Sequence, residues 1–113
     1  AFVDGEPVGN LTRDNIVDNI TLYWLTGTGA SAARWYWETG RAQAAGQAPP
    51  AVSVPVGFTP FPGEIFAAPR SWVEVVYPDL SYFNEVDKGG HFAAWEEPEL
   101  FATEVREAFR SLR

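Results

Sequence analysis

The second half of the chain alternates strand-like and helix-like segments, and this alternation constrains its fold more than any other feature. Residues 51–57 and 80–86 are rich in side chains that favour strands. A helical segment at 71–77, capped by Ser71, separates them, and a final helix with one apolar stripe begins at Pro98. The order strand, helix, strand, helix predicts two parallel strands joined by a right-handed crossover. We therefore place the chain in the α/β class.

Two strands are too few to make an independent sheet. Pro55 weakens the first of them further, because proline has no N–H to donate to a neighbouring strand. A two-stranded sheet is marginal in water, and no other segment favours a strand, since residues 1–11 predict a loop. The composition agrees, because 46% of the residues are hydrophobic and 15% are aromatic, and a small domain buries little of its surface. We expect the fold to be incomplete on its own.

The first half of the chain predicts two helices and a linker. Apolar residues recur at helical spacing over residues 12–25, and Thr12 is a residue type that commonly caps a helix. A second helix is expected from 31 to about 45, broken or weakened at Gly40. The stretch at 45–50 contains two prolines and predicts a linker between two structural parts.

Charge and composition exclude several classes of function. The formal net charge is −7, whereas a nucleic-acid-binding domain needs a basic surface. The chain has no cysteine and one histidine, so disulfides and metal sites built from these side chains are not expected. The sequence lacks a run of about 18 apolar residues, which predicts no membrane span in this segment.

The single histidine, His91, is the strongest candidate for chemistry. It follows Gly89 and Gly90 just past the second predicted strand, and functional residues of parallel sheets collect at the carboxyl ends of the strands. Imidazole is the side chain that most readily exchanges a proton near neutral pH, which makes histidine the usual general base. We therefore predict a catalytic role for His91, the alternative being a surface histidine with no role.

A general base of this kind needs an acidic partner, and four carboxylates compete for the position. Glu64 lies in the loop after the first predicted strand, at the same sheet edge as His91. Asp79 stands at the start of the second strand, the opposite edge, while Glu85 and Asp87 fit solvated charges at the strand end. Glu64 is therefore the predicted partner, with an oxygen about 2.6–3.2 Å from the imidazole. Such a bond would fix the tautomer of the ring.

Four sequence blocks, in order along the chain, resemble the epoxide hydrolases of the α/β-hydrolase superfamily. The similarity is greatest to the branch that contains the microsomal and juvenile-hormone enzymes, and it covers the last third or so of such an enzyme. The blocks are residues 19–28 (NITLYWLTGT), 33–38 (ARWYWE), 54–64 (VPVGFTPFPGE) and 89–96 (GGHFAAWE).

The resemblance implies a fold and a division of the chain. Residues 1–48 would be the last helices of a helical lid, and residues 49–113 the last two parallel strands and helices of an α/β-hydrolase core. The missing N-terminal remainder of the enzyme, possibly a separate chain, would complete the fold. A cytoplasmic location is expected, although any targeting segment would lie outside this chain.

The resemblance also implies an activity, which is the opening of a small-molecule epoxide to a vicinal diol through a covalent aspartyl ester. In that chemistry His91 would activate water, Glu64 would orient His91, and Tyr36 would be a lid tyrosine that holds the epoxide oxygen. The nucleophilic aspartate would come from the upstream segment, because the chain has no Gly-x-Asp-x-Gly or Gly-x-Ser-x-Gly elbow. The reaction needs no cofactor and no metal.

Two alternatives remain open on the sequence. One is another hydrolase with an aspartate nucleophile on this fold, such as a haloalkane dehalogenase, although the aromatic block around Tyr36 argues against halide binding. The other is a non-catalytic remnant or binding module that keeps the family's residues as packing, which the missing elbow favours. For Tyr36 the alternative is that its ring packs against a core, as runs of aromatic side chains usually do.

Overall fold

A computed structural model describes residues 2–47 and 51–113, and these fall into two compact units. The first unit contains the described residues up to Leu11 together with Ala51–Arg113. The second contains the described residues from Thr12 onwards, up to 47. The predicted boundary between 48 and 49, and the last part of the predicted linker, lie outside the described residues.

The second unit begins with helix α1, Arg13–Thr26, which confirms the first predicted helix. Thr12 is its N-cap as predicted, because the Thr12 hydroxyl accepts a hydrogen bond from the Asn15 N–H at 3.2 Å. The Asn15 side chain accepts the Thr12 N–H in return at 3.0 Å, so two backbone donors are satisfied together. The helix ends at Gly27, whose φ of 63° is the left-handed conformation that stops a helix.

Helix α2, Gly29–Ala44, runs unbroken through Gly40, so the expected break at that glycine is wrong. A glycine in a helix costs about 1 kcal/mol relative to alanine, and the helix continues despite that cost. One visible support spans the position, because the Arg41 guanidinium lies 4.7 Å from the centre of the Trp37 ring.

The first unit starts with a short hairpin that the sequence analysis assigned to a loop. Strands β1 (Phe2–Val3) and β2 (Glu6–Pro7) pair in antiparallel fashion. The turn is formed by Asp4 and Gly5, both with positive φ, of 52° and 85°. Asp-Gly is a strong hairpin signal, so the sequence did carry the information.

The predicted strand, helix, strand order is confirmed. Strands β3 (Val56–Phe58) and β4 (Leu80–Phe83) are parallel neighbours, and helix α3 (Arg70–Val76) connects them. Strand β4 is shorter than predicted, because regular pairing ends at Phe83 instead of residue 86.

Proline chemistry explains two corrections to the predicted boundaries. The first strand was expected to start at residue 51, but it starts at Val56, directly after Pro55. The Val56 N–H donates to the Asp79 carbonyl at 2.8 Å. Pro55 has no N–H and therefore cannot donate a bond of this kind. The cap of α3 is also different, since Pro69 and not Ser71 precedes the first helical residue.

The chain ends in three helical segments that follow β4. Helix α5 (Pro98–Ala108) has Pro98 at its first position, as predicted. Glu97 is its N-cap residue, but makes no capping bond with its side chain. Helix α5 approaches β3 closely, because a Cβ atom built on Gly57 would stand 2.6 Å from the Ala108 Cβ. The segments are α4 (Ala93–Glu96), α5 (Pro98–Ala108) and a short 3-10 helix (Arg110–Leu112).

We expect the 113-residue chain, produced alone, to unfold without a sharp cooperative transition. Large side chains such as Phe66 and Trp72 are 83% and 69% exposed, so little apolar surface is removed from water. Thermal melting followed by circular dichroism, with the dispersion of amide signals in NMR, measures this. A sharp melt with well-dispersed amide signals would contradict the expectation. Among the described residues, the buried apolar side chains are Leu11, Val73, Ala93 and Ala108.

Candidate active site

The loops after β3 and β4 meet through their backbones. The Gly63 N–H donates to the Gly89 carbonyl at 3.0 Å, and Gly63 and Gly90 form an isolated parallel bridge. The approach is close, because a Cβ atom on Gly63 would stand 3.1 Å from the Gly89 oxygen. Gly89 also has a φ of 96°, and a Cβ atom there would meet the Phe61 ring at 2.7 Å. The residues that follow these glycines are therefore held side by side.

Those residues are Glu64 and His91, and their side chains are hydrogen-bonded. Glu64 Oε1 lies 2.7 Å from His91 Nδ1, within the distance range expected from the sequence. The bond joins the carboxyl-end loops of two adjacent parallel strands, which is where functional side chains of such sheets collect. Both side chains remain partly exposed, so a water molecule can reach them.

Hydrogen bonds hold the pKa of Glu64 below its usual range. The bond to His91 is the largest cause, and the backbone N–H of Ile65, which donates to Oε1 at 2.7 Å, adds to it. Partial burial acts in the opposite direction. Glu64 is therefore ionised at neutral pH, and as a pure acceptor it selects the imidazole tautomer with the proton on Nδ1. The other ring nitrogen, Nε2, is then the one that can take a proton from water.

The stability that Glu64 provides should depend on pH. Because its folded-state pKa is lowered, the contribution is present above the ordinary glutamate value of about 4.3. It is lost as pH falls through the lowered value. We expect the complete protein to melt at a higher temperature than its Glu64→Gln variant at neutral pH, and the difference to vanish in acid. Calorimetry across pH measures this, with Asp87→Asn as the control. A difference that persists unchanged in acid would contradict it.

An aromatic ring packs against the imidazole of His91, and a second ring packs against the first. The Phe92 ring meets the imidazole edge-on, with 5.0 Å between the ring centres, and the Trp95 ring meets Phe92 in the same way at 6.4 Å. An open cavity of about 400 Å³ lies in front of these groups. An apolar organic molecule could be held there beside a proton acceptor. The side chains that line the cavity include Phe61, Glu64, His91, Phe92, Trp95 and Phe101.

Two further contacts anchor the turn that carries His91. Lys88 forms an ion pair of 2.7 Å with Glu97, and this hydrogen bond and charge raise the pKa of Lys88. Glu96 is 2% exposed, and one of its carboxylate oxygens would be 2.9 Å from a Cβ atom on Gly90. The Glu96 carbonyl also accepts the Asn10 N–H at 2.7 Å. The Lys88–Glu97 ion pair thus links the turn to the residue before α5, and Glu96 packs close to Gly90.

Tyr36, the third predicted site residue, lies on α2 in the second unit, whereas Glu64 and His91 both lie in the first. The Tyr36 side chain is 77% exposed and stands between Trp35 and Trp37 in the sequence. A salt bridge of 3.0 Å between Arg34 and Glu38 supports the same turn of the helix. The phenol is therefore presented on a helix surface and is not buried within its own unit.

Within residues 2–47 and 51–113, no helix has the length and apolar character to cross a membrane. The same residues contain no group of three or more histidine, cysteine, aspartate or glutamate side chains placed to hold a metal ion.

No protein-family model matches the chain, but curated relatives do. A Stigmatella aurantiaca protein named as an epoxide hydrolase is 51% identical over 96% of this chain and 24% of its own length. Epoxide hydrolase 1 of Sus scrofa is 41% identical over 91% of this chain and 23% of its own length. The juvenile hormone epoxide hydrolase of Bombyx mori is 31% identical over 90% and 23%. The chain thus spans about a quarter of the length of these relatives.

Proposed function

Because the chain belongs to the epoxide hydrolase family, we propose that it forms the C-terminal part of an α/β-hydrolase fold that converts an epoxide to a vicinal diol. The observation that carries the proposal is the hydrogen bond of 2.7 Å between Glu64 and His91. The pair stands at the carboxyl ends of parallel strands, and the acid precedes the histidine in the chain, as in α/β-hydrolases. A carboxylate-oriented imidazole is suited to activating water.

In the first step, an aspartate from the remainder of the complete protein attacks one carbon of the epoxide. A C–O bond forms to give an ester, and the C–O bond of the strained ring breaks. The oxygen released from the ring is negatively charged, and Tyr36 donates its phenolic proton to it, with a second tyrosine from elsewhere sharing this role. A phenol suits the task because it is a hydrogen-bond donor at neutral pH.

In the second step, His91 Nε2 takes a proton from a water molecule, and the hydroxide attacks the carbonyl carbon of the ester. The ester bond to the substrate breaks, and the imidazolium returns its proton to the departing alkoxide, which leaves as the diol. The carboxylic acid proton of the regenerated aspartic acid restores the phenol of Tyr36. Glu64 stabilises the imidazolium while it exists. Water is the only co-reactant, so no metal or organic cofactor enters the proposal.

The two units suggest how the parts divide. The resemblance predicts that residues 1–48 belong to the lid and residues 49–113 to the hydrolase core. Helices α1 and α2 present exposed aromatic side chains such as Tyr36, as a lid over an apolar substrate would. The grouping of the residues up to Leu11 with the sheet-bearing unit favours a lid part that begins at Thr12.

The test is product formation by the complete protein. Styrene oxide is incubated with the purified protein, and phenylethanediol is measured by chromatography. Release of halide from 1-chlorobutane is measured in parallel. Diol formation without halide release supports the proposal. Halide release without diol would favour the dehalogenase alternative, and neither product would favour a non-catalytic protein.

A further inference from the structure

One buried carboxylate lies outside the proposed catalytic pair. Glu104, on α5, is 7% exposed, and three side chains in or directly after the strands of the parallel sheet donate hydrogen bonds to it. The Thr59 hydroxyl donates at 2.9 Å and the Tyr82 hydroxyl at 3.0 Å, both to Oε2. The Asn84 amide lies 3.0 and 3.1 Å from the two carboxylate oxygens. A single carboxylate therefore accepts hydrogen bonds from one residue of β4 and from the residues that directly follow β3 and β4.

Two of the three donors lie where the loops that carry Glu64 and His91 begin. Thr59 directly follows β3, and the loop that it opens carries Glu64. Asn84 directly follows β4, and the loop that it opens carries His91. The two strand ends also touch through their backbones, since the Asn84 N–H donates to a β3 carbonyl at 3.2 Å. Glu104 thus joins the starting points of both loops to one helix.

Stability alone does not account for a carboxylate at this position. Burying a charged group is costly unless hydrogen bonds replace its water, and well-packed apolar residues usually serve at least as well. The neighbouring positions on the same face of α5 are apolar, with Ala108 buried one turn further on. Tyr82 is suited to donate to this carboxylate. Burial and the hydrogen bond to Glu104 raise the pKa of Tyr82, so its phenol remains a donor.

We propose that Glu104 is a positioning residue for the Glu64–His91 pair, holding the carboxyl ends of β3 and β4 together so that the two loops deliver acid and base at bonding distance. The expected effect on the reaction rate rests on the proposed function. The expected effect on the Glu64–His91 hydrogen bond does not. A mutation far from the reacting groups that displaces a catalytic side chain by about 1 Å can lower the rate roughly 10²-fold. Loss of Glu104 should therefore slow the step that uses His91.

The kinetic test compares Glu104→Ala with Glu107→Ala in the complete protein. Glu107 lies on the same helix and pairs with Arg110 at the surface, so its loss is a matched control. With styrene oxide, Glu104→Ala should lower kcat roughly 10- to 100-fold, leave ester formation near the wild-type rate, and accumulate the covalent ester. Glu104→Gln, which keeps one acceptor oxygen, should recover part of the rate. Glu107→Ala should behave as the wild type.

The structural test observes the hydrogen-bonded Nδ1 proton of His91 by NMR, with the signal assigned from its absence in His91→Gln. Glu104→Ala should weaken or remove this signal, and Glu107→Ala should retain it. If Glu104→Ala does not fold, Asn84→Ala removes only the donor at the end of β4 and should show the same change more weakly. Circular dichroism establishes that each compared variant is folded.

Three outcomes separate the possibilities. An unchanged Nδ1 proton signal and unchanged ester hydrolysis in folded Glu104→Ala, or in Asn84→Ala, would overturn the inference. An equal loss in both chemical steps, with the signal retained, would show a structural role only and would also overturn it. Loss of the signal in a protein that does not turn over epoxides would support the positioning role while removing the proposed function.

Discussion

Replacing His91 with glutamine in the complete protein is expected to lower kcat for epoxide hydrolysis by roughly 10³-fold. Glutamine retains hydrogen-bonding groups but cannot take a proton from water, so the ester formed in the first step persists. Steady-state diol formation from styrene oxide measures the loss. Asp87→Asn, which removes a charge from the same turn, is the control and should keep wild-type turnover. A His91→Gln variant with near-normal kcat would exclude His91 as the base.

Replacing Tyr36 with phenylalanine is expected to slow ester formation, because the oxygen of the opening ring loses a donor. The loss should be about 2–4 kcal/mol in the transition state, or roughly 30- to 1,000-fold in rate. It will be smaller if the second tyrosine compensates. Single-turnover mixing with styrene oxide measures the first step directly.

Tyr23→Phe is the matched control for the Tyr36 prediction. Tyr23 lies on α1 in the same unit, is also exposed, and is not one of the predicted site residues. Its loss should leave the rate of ester formation unchanged. Equal effects of the two substitutions would remove the specific role of Tyr36, and an effect confined to Tyr23 would reassign the donor.

Local signals predicted the helices and the crossover well. Thr12 and Gly27 fix the ends of α1 through capping that depends only on nearby residues, and the alternation after residue 50 is enough to predict a parallel strand pair. The strand limits were predicted less well, since Pro55 shortens β3 and the Asp4–Gly5 turn was overlooked. Both errors concern proline and turn chemistry that the sequence does contain.

The candidate pair was predictable for a different reason. Glu64 and His91 are far apart in the chain, but the rule that loops after parallel strands share an edge brings them together. The close approach of Gly63 to Gly89 was not predictable, because a long-range backbone contact leaves no periodic pattern. In the sequence, Glu104 is a charged residue among the apolar residues of one helix face. Because that face was interpreted as an apolar stripe, Glu104 was overlooked.

The central claim is that this chain supplies the base that hydrolyses a covalent ester, and one measurement tests it most directly. The His91→Gln variant of the complete protein is mixed with styrene oxide and its intact mass is recorded. The account predicts that the protein gains the mass of one epoxide molecule and keeps it, while the wild type returns to its starting mass. Absence of any adduct in the variant, under conditions where the wild type forms diol, would contradict the account.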